Sequence, residues 1–138
     1  MLHVAWAPDG SLLAVAQGLF VTLWDPQTLV MQARLATPEL KDVHTCDFCG
    51  RKGRYLAAMG SPSRLVIWDL VSQSVVWSVS DTFYAQTVYG DGILSLRSTN
   101  QGSALDYVRP DKPGVERSYH VPFQLDGAPI NVLSLIHI

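Results

Sequence analysis

Leu65-Val66-Ile67-Trp68-Asp69 is an apolar run closed by a Trp-Asp pair, and turn-forming residues follow it. The same design stands earlier as Val21-Thr22-Leu23-Trp24-Asp25, with the two tryptophans 44 residues apart. Repetition at a period of about 40–45 residues, each unit holding a strand that ends in Trp-Asp, is the signature of one four-stranded sheet per repeat. On a strand, successive side chains point to opposite faces. Leu65 and Ile67 therefore face one way, Val66 and Trp68 the other. Both faces are apolar, so this sheet needs cover on both sides.

Working outward, each Trp-Asp strand has three companions. In the first unit, residues 2–6 read as strand a. Pro8-Asp9-Gly10 follows as a tight turn, with proline presetting φ and glycine accepting positive φ. Residues 12–16, 19–24 and 29–35 read as strands b, c and d. In the second unit, residues 43–48 are strand a, with Phe48 in the place of Trp6. The turn Gly50-Arg51-Lys52-Gly53 replaces Pro-Asp-Gly, and residues 55–59, 64–68 and 75–79 complete the unit. The third unit is degenerate. Residues 83–89, 93–97, 104–109 and 115–121 are its strands, and Val108-Arg109 stands where Trp-Asp belongs. Residues 98–103 read as a long polar turn and residues 110–114 as a second turn. Helical periodicity is nowhere sustained, so the chain reads as all-β, and a fourth unit is expected to begin near Ile130.

The stretch His3-Val4-Ala5-Trp6-Ala7-Pro8-Asp9-Gly10-Ser11-Leu12-Leu13-Ala14-Val15 resembles the WD-repeat family. That resemblance implies a β-propeller, in which blades hide their faces by closing a ring of typically 4–8. About three four-stranded antiparallel blades (2–35, 43–79 and 83–121) lie here within residues 1–132, so the chain reads as a propeller fragment with open faces. Within the family it is most similar to the two-propeller nucleolar subunits of the small-subunit processome, in its transcription-linked subcomplex. The order of features carries this: the Pro8 to Val15 repeat ending in Trp24-Asp25, the strand with Cys46-Asp47-Phe48, Trp68-Asp69-Leu70-Val71-Ser72 with Trp77, and a blade ending Val108-Arg109-Pro110. The resemblance covers residues 2–125. It implies a non-catalytic scaffold in ribosome biogenesis, acting in small-subunit pre-rRNA processing in the nucleolus. Its implied partners are other processome proteins and pre-rRNA. The alternatives are a WD-repeat scaffold of another complex and, last, a propeller hydrolase. The chain departs from the family in having no Gly-His before any strand a, and its buried polar set is incomplete, which puts the rigidity of blade three in question.

Composition bounds the rest. The chain has 138 residues, a net charge of −2 and two cysteines. Such a charge gives no global electrostatic case for nucleic acid, though a local patch would suffice. Two cysteines make no disulfide framework. The longest apolar run, residues 12–16, is far too short to span a bilayer. No membrane partner, small-molecule substrate or cofactor is expected.

Several constellations have rival readings. Trp24, Asp25, Trp68 and Asp69 read as structural pairs, since a buried indole must find a partner for its N–H. His44, Cys46 and Cys49 resemble half a zinc site, but zinc takes four ligands and no matching pair exists. Alternation also sends the two thiols to opposite faces. Arg51, Lys52 and Arg54 form a basic turn, either merely solvated or a contact for RNA phosphate. Catalysis has no Gly-x-Ser-x-Gly elbow and no phosphate-binding loop to stand on, and His120 lies on an outer strand. Residues 133–138, Leu-Ser-Leu-Ile-His-Ile, read either as the next strand a or as translated sequencing adapter. The second reading is preferred here, which makes them a non-native tail.

Overall fold

The computed structural model describes residues 2–121. The strand expected near Ile130 and the tail at 133–138 lie outside the described residues. Twelve strands form three four-stranded antiparallel sheets, each a simple meander. The first contains β1 (Leu2–Trp6), β2 (Leu13–Gln17), β3 (Phe20–Asp25) and β4 (Val30–Leu35). The second contains β5 (Asp42–Cys49), β6 (Tyr55–Ser61), β7 (Arg64–Asp69) and β8 (Ser74–Ser80). The third contains β9 (Phe83–Tyr89), β10 (Gly92–Thr99), β11 (Gly102–Arg109) and β12 (Lys112–Val121). The fold is all-β, with open sheets as in a WD propeller fragment. The only helix among the described residues is one 3-10 turn, Arg51–Gly53.

Local chemistry sets the turns. After β1, Gly10 takes φ 76°, and the Asp9 carboxylate accepts bonds from the Ser11 amide (3.0 Å) and hydroxyl (2.6 Å). These bonds hold the Asp9 carboxyl below its ordinary range. After β3, Asp25 Oδ1 accepts from the Gln27 amide at 2.9 Å, and Leu29 then adopts φ 57°. After β7, Asp69 Oδ1 accepts from the Val71 amide at 2.9 Å, and Gln73 adopts φ 57°. The aspartate of each Trp-Asp pair thus caps the same turn, 44 residues apart.

Two expected turns are shorter than the sequence suggested. Residues 98–103 were expected to be a long polar turn, but Ser98 pairs with Ser103 and Thr99 with Gly102, so the hairpin closes over Asn100 and Gln101. The ladder satisfies backbone groups that a loop would leave to water, and it does so even though Ser103 is buried by it. Likewise β12 begins at Lys112, which pairs with Arg109, leaving Pro110 and Asp111 as the turn.

The sheets pack face to face through two apolar seams. Val66 and Trp68 enter one with Val21 and Leu23, while Leu65 and Ile67 enter the other with Ile93 and Val108. The second sheet is therefore covered on both faces, as its alternation requires. Leu40, in the connection between the first two sheets, is buried in the first seam. Backbone continuity adds a direct link, from the Val43 amide to the Gly18 carbonyl at 2.7 Å.

β5 and β6 approach closely beside a register shift between Val43 and Thr45. A Cβ on the buried Gly60 would strike the Asp42 carbonyl oxygen and come within 2.9 Å of Val43 Cα. Both obstacles are backbone and cannot rotate away. Gly60→Ala is expected to cost about 1–3 kcal/mol by overpacking, read as a lowered melting temperature of the full-length protein. An unchanged melting temperature would mean that the two strands are further apart than described.

Candidate functional site

The Trp-Asp positions fall in one repeated row. Across the first sheet it runs Trp6, Leu13, Trp24, Met31, and across the second Phe48, Leu56, Trp68, Val75. In the third it runs Val88, Ile93, Val108, Val115. Each row ends at the same irregularity: the register shifts between Leu23 and Trp24, between Ile67 and Trp68, and between Tyr107 and Val108. Trp68 is 2% exposed because its row faces the first sheet. The first sheet's row has no described neighbour. Trp6 is accordingly 58% exposed and Trp24 half-buried, its indole N–H donating to Thr22 Oγ1 at 2.8 Å.

His44, Cys46 and Cys49 do not converge. Cys46 packs in the seam with the first sheet and Cys49 in the seam with the third. Burial, reinforced by the Asp47 charge, pushes both thiols up to about 12. Each is a small apolar filler rather than a thiolate. His44 pairs with Asp42 across 3.2 Å at the surface. The first strands of the three sheets are instead stitched by other polar groups. The Cys46 amide donates to His3 Nδ1 at 3.2 Å, and Gln86 Nε2 donates to Asp47 Oδ2 at 3.0 Å. Burial nevertheless raises the Asp47 carboxyl, with the Gln86 bond working against it.

The basic turn is divided in its chemistry. Arg54 is committed: its Nη2 and Nε donate to the two Asp69 oxygens at 2.9 and 3.4 Å. The Asp69 carboxyl lies below its ordinary range, first because of that bond. Asp69 thus serves both the turn after β7 and the turn before β6, which the Leu70 amide also ties by donating to the Arg54 carbonyl at 3.0 Å. Arg51 and Lys52 are exposed and form no ion pair among the described residues. The turn borders a cleft of about 280 Å³ between the second and third sheets. Gly50, Arg51, Arg54 and Tyr55 form one wall, and Asp91, Arg109 and Asp111 the other. Arg109, at the position of the missing aspartate, donates to Asp111 at 3.2 and 3.0 Å. Neither the Arg54–Asp69 pairing nor the cleft could be read from residue order, because the first needs the register of β6 on β7 and the second needs the turns of two sheets brought together.

The family model of the second β-propeller of WD repeat-containing protein 75 matches residues 2–118. The chain belongs to that family. It is 29% identical over 113 residues to WD repeat-containing protein 75 of Mus musculus, an alignment covering 80% of this chain and 14% of that protein. A solved structure of U3-55K matches with a TM-score of 0.65 at 14% identity, covering 85% of this chain and 35% of that one. At that identity the likeness shows the fold alone. The match to the second-propeller family of WD repeat-containing protein 75 takes in the degenerate third sheet as far as Ser118 in β12.

That third sheet holds a polar cluster the sequence reading did not single out. Arg97 Nε donates to Asp106 Oδ2 at 2.6 Å, and Ser118 Oγ donates to Asp106 Oδ1 at 2.6 Å. Asp81 lies 3.4 Å from Arg97 Nη1. The Asp106 side chain is only 4% exposed. His120, on β12, is exposed.

Proposed function

We propose that this chain is part of a non-catalytic interaction scaffold in ribosome biogenesis, acting in small-subunit pre-rRNA processing in the nucleolus. The observation that carries this reading is the family match across three stacked sheets, joined to the processome resemblance of the repeat pattern. Stacked sheets are well suited to the task. Both apolar faces of the second sheet are spent on its neighbours, leaving its rim turns free to bind. Other processome proteins are the protein partners, and the basic turn is the contact for pre-rRNA.

Phosphate contact needs only a few cations held at the surface. Arg51 and Lys52 fit that role, whereas Arg54 is bonded to Asp69 and serves as support. Placing glutamate at 54 would set one carboxylate against another, so the useful variant is Arg51→Glu with Lys52→Glu. It should lower pre-rRNA crosslinking and flatten the salt dependence of RNA binding by about 1.4 in log–log slope, for two lost single-strand phosphate contacts. Crosslinking and slope equal to those of the unsubstituted protein would leave the turn merely solvated. Affinity capture of the full-length protein tests the wider reading. Pre-rRNA and nucleolar proteins should co-purify, and recovery of an unrelated complex alone would overturn it.

A further inference from the structure

We propose that the cleft between the second and third sheets accepts one unpaired guanine nucleotide of a bound RNA strand. This rests on the RNA reading above and gives that site a base-recognising element.

The volume, about 280 Å³, lies just below the usual range for small-ligand pockets. It suits one planar ring system rather than a folded peptide segment. The walls are planar as well. The Arg54 guanidinium lies 5.6 Å from the centre of the Tyr55 ring. Gly50 leaves room for that ring, because a Cβ there would stand 2.5 Å from Tyr55 Cδ2. Opposite, the Arg109 guanidinium is oriented by its two bonds to Asp111.

Both guanidiniums already spend donors on carboxylates, Arg54 on Asp69 and Arg109 on Asp111. An acidic peptide would have to compete for those donors. An unpaired base needs only the flat faces, since bases stack on tyrosine and on arginine planes. Among the described residues, Arg51 is the cation of the cleft without an ion-pair partner, placed to take the phosphate that accompanies the base.

Specificity comes from Asp91. It is exposed, lines the cleft, and among the described residues forms no hydrogen bond or ion pair. An ionised carboxylate only accepts, through two oxygens side by side. Guanine presents two adjacent donors, N1–H and the N2 amino group, on its Watson–Crick edge. Adenine and cytosine present a single amino donor there. The paired, charge-assisted geometry therefore selects guanine.

The test is fluorescence anisotropy with the full-length protein and labelled uridine-rich RNA hexamers carrying one central G, inosine or A. The G oligomer should bind about tenfold more tightly than the A oligomer. Inosine, which keeps N1–H and lacks the amino group, should fall between. Asp91→Asn, an exposed change, should bring G and A within about twofold. Equal affinity for G and A in the unsubstituted protein overturns the inference, as does a preference that survives Asp91→Asn. If oligomers bind without base preference but depend on Arg51 and Lys52, the RNA contact stands and the guanine site falls. If no oligomer binds while an Asp/Glu-rich peptide does, in an Arg51-dependent way, both readings fall.

Discussion

Trp68→Ala is expected to cost about 3–5 kcal/mol of folding free energy, the range for large buried aromatics. The indole is 2% exposed and sits at the centre of the seam between the first and second sheets. Leu56 and Val75 flank it in its own row, and Ala14, Val21 and Leu23 come across from the first sheet. Alanine would leave a cavity that β7 cannot collapse to fill, because Leu65 and Ile67 anchor the strand from its other face. The denaturant midpoint of the full-length protein should fall with the slope little changed. A loss below about 1 kcal/mol would mean that the indole is not in a seam. Trp24 gives the internal comparison. It holds the same register position but is half-buried, so Trp24→Ala should cost much less. An equal cost in the full-length protein would report that another element covers the first sheet's open row.

The repeat was legible because it is written in side chains. Trp24-Asp25 and Trp68-Asp69 give the period, and the alternation from Leu65 to Trp68 says that both faces are buried. Strand pairing in register was less so. The shift opposite Trp24, Trp68 and Val108 skips Gln32, Val76 and Glu116 in turn, three residues with no chemistry in common. It is a backbone feature, repeated in the third sheet even though tryptophan is lost there. The candidate site was half legible. Three basic residues in one turn are visible from order alone, but which of them are free depends on where Asp69 lies. Asp69 reads from sequence as the second half of a structural pair. Its bond to Arg54 follows only when β6 and β7 align Tyr55 opposite Asp69. Asp91, Arg109 and Asp111 each look like ordinary turn residues until the second sheet's turn is set beside them. The same limit hid the cluster in the third sheet, which the missing Trp-Asp pair had marked as the weakest of the three.

Arg97→Ala is expected to destabilise the protein by about 3 kcal/mol, because it strands the Asp106 carboxylate inside the third sheet. Registry builds this site. Ser95 pairs with Asp106 and Arg97 with Ala104, so arginine and aspartate are diagonal neighbours on one face of β10 and β11. Ser118 on β12 pairs with Asp106 and closes the cluster from the other side. Without the guanidinium, a carboxyl group on a side chain 4% exposed would be left with one hydroxyl as its described partner. The arginine itself is 29% exposed, so some water can enter, which sets the cost at the lower end of the usual 3–5 kcal/mol for breaking a buried pair. Asp81 contributes little, being 35% exposed and at 3.4 Å. The double variant Arg97→Met, Asp106→Leu separates charge from packing. It removes both ions while keeping apolar volume, and should regain most of the lost stability. Chemical denaturation of the two variants against the unsubstituted protein reads both effects. A single variant within about 1 kcal/mol of the unsubstituted protein, or a double variant no better than the single, would show that Asp106 finds solvent or another donor and that the third sheet is held together by its apolar seam alone.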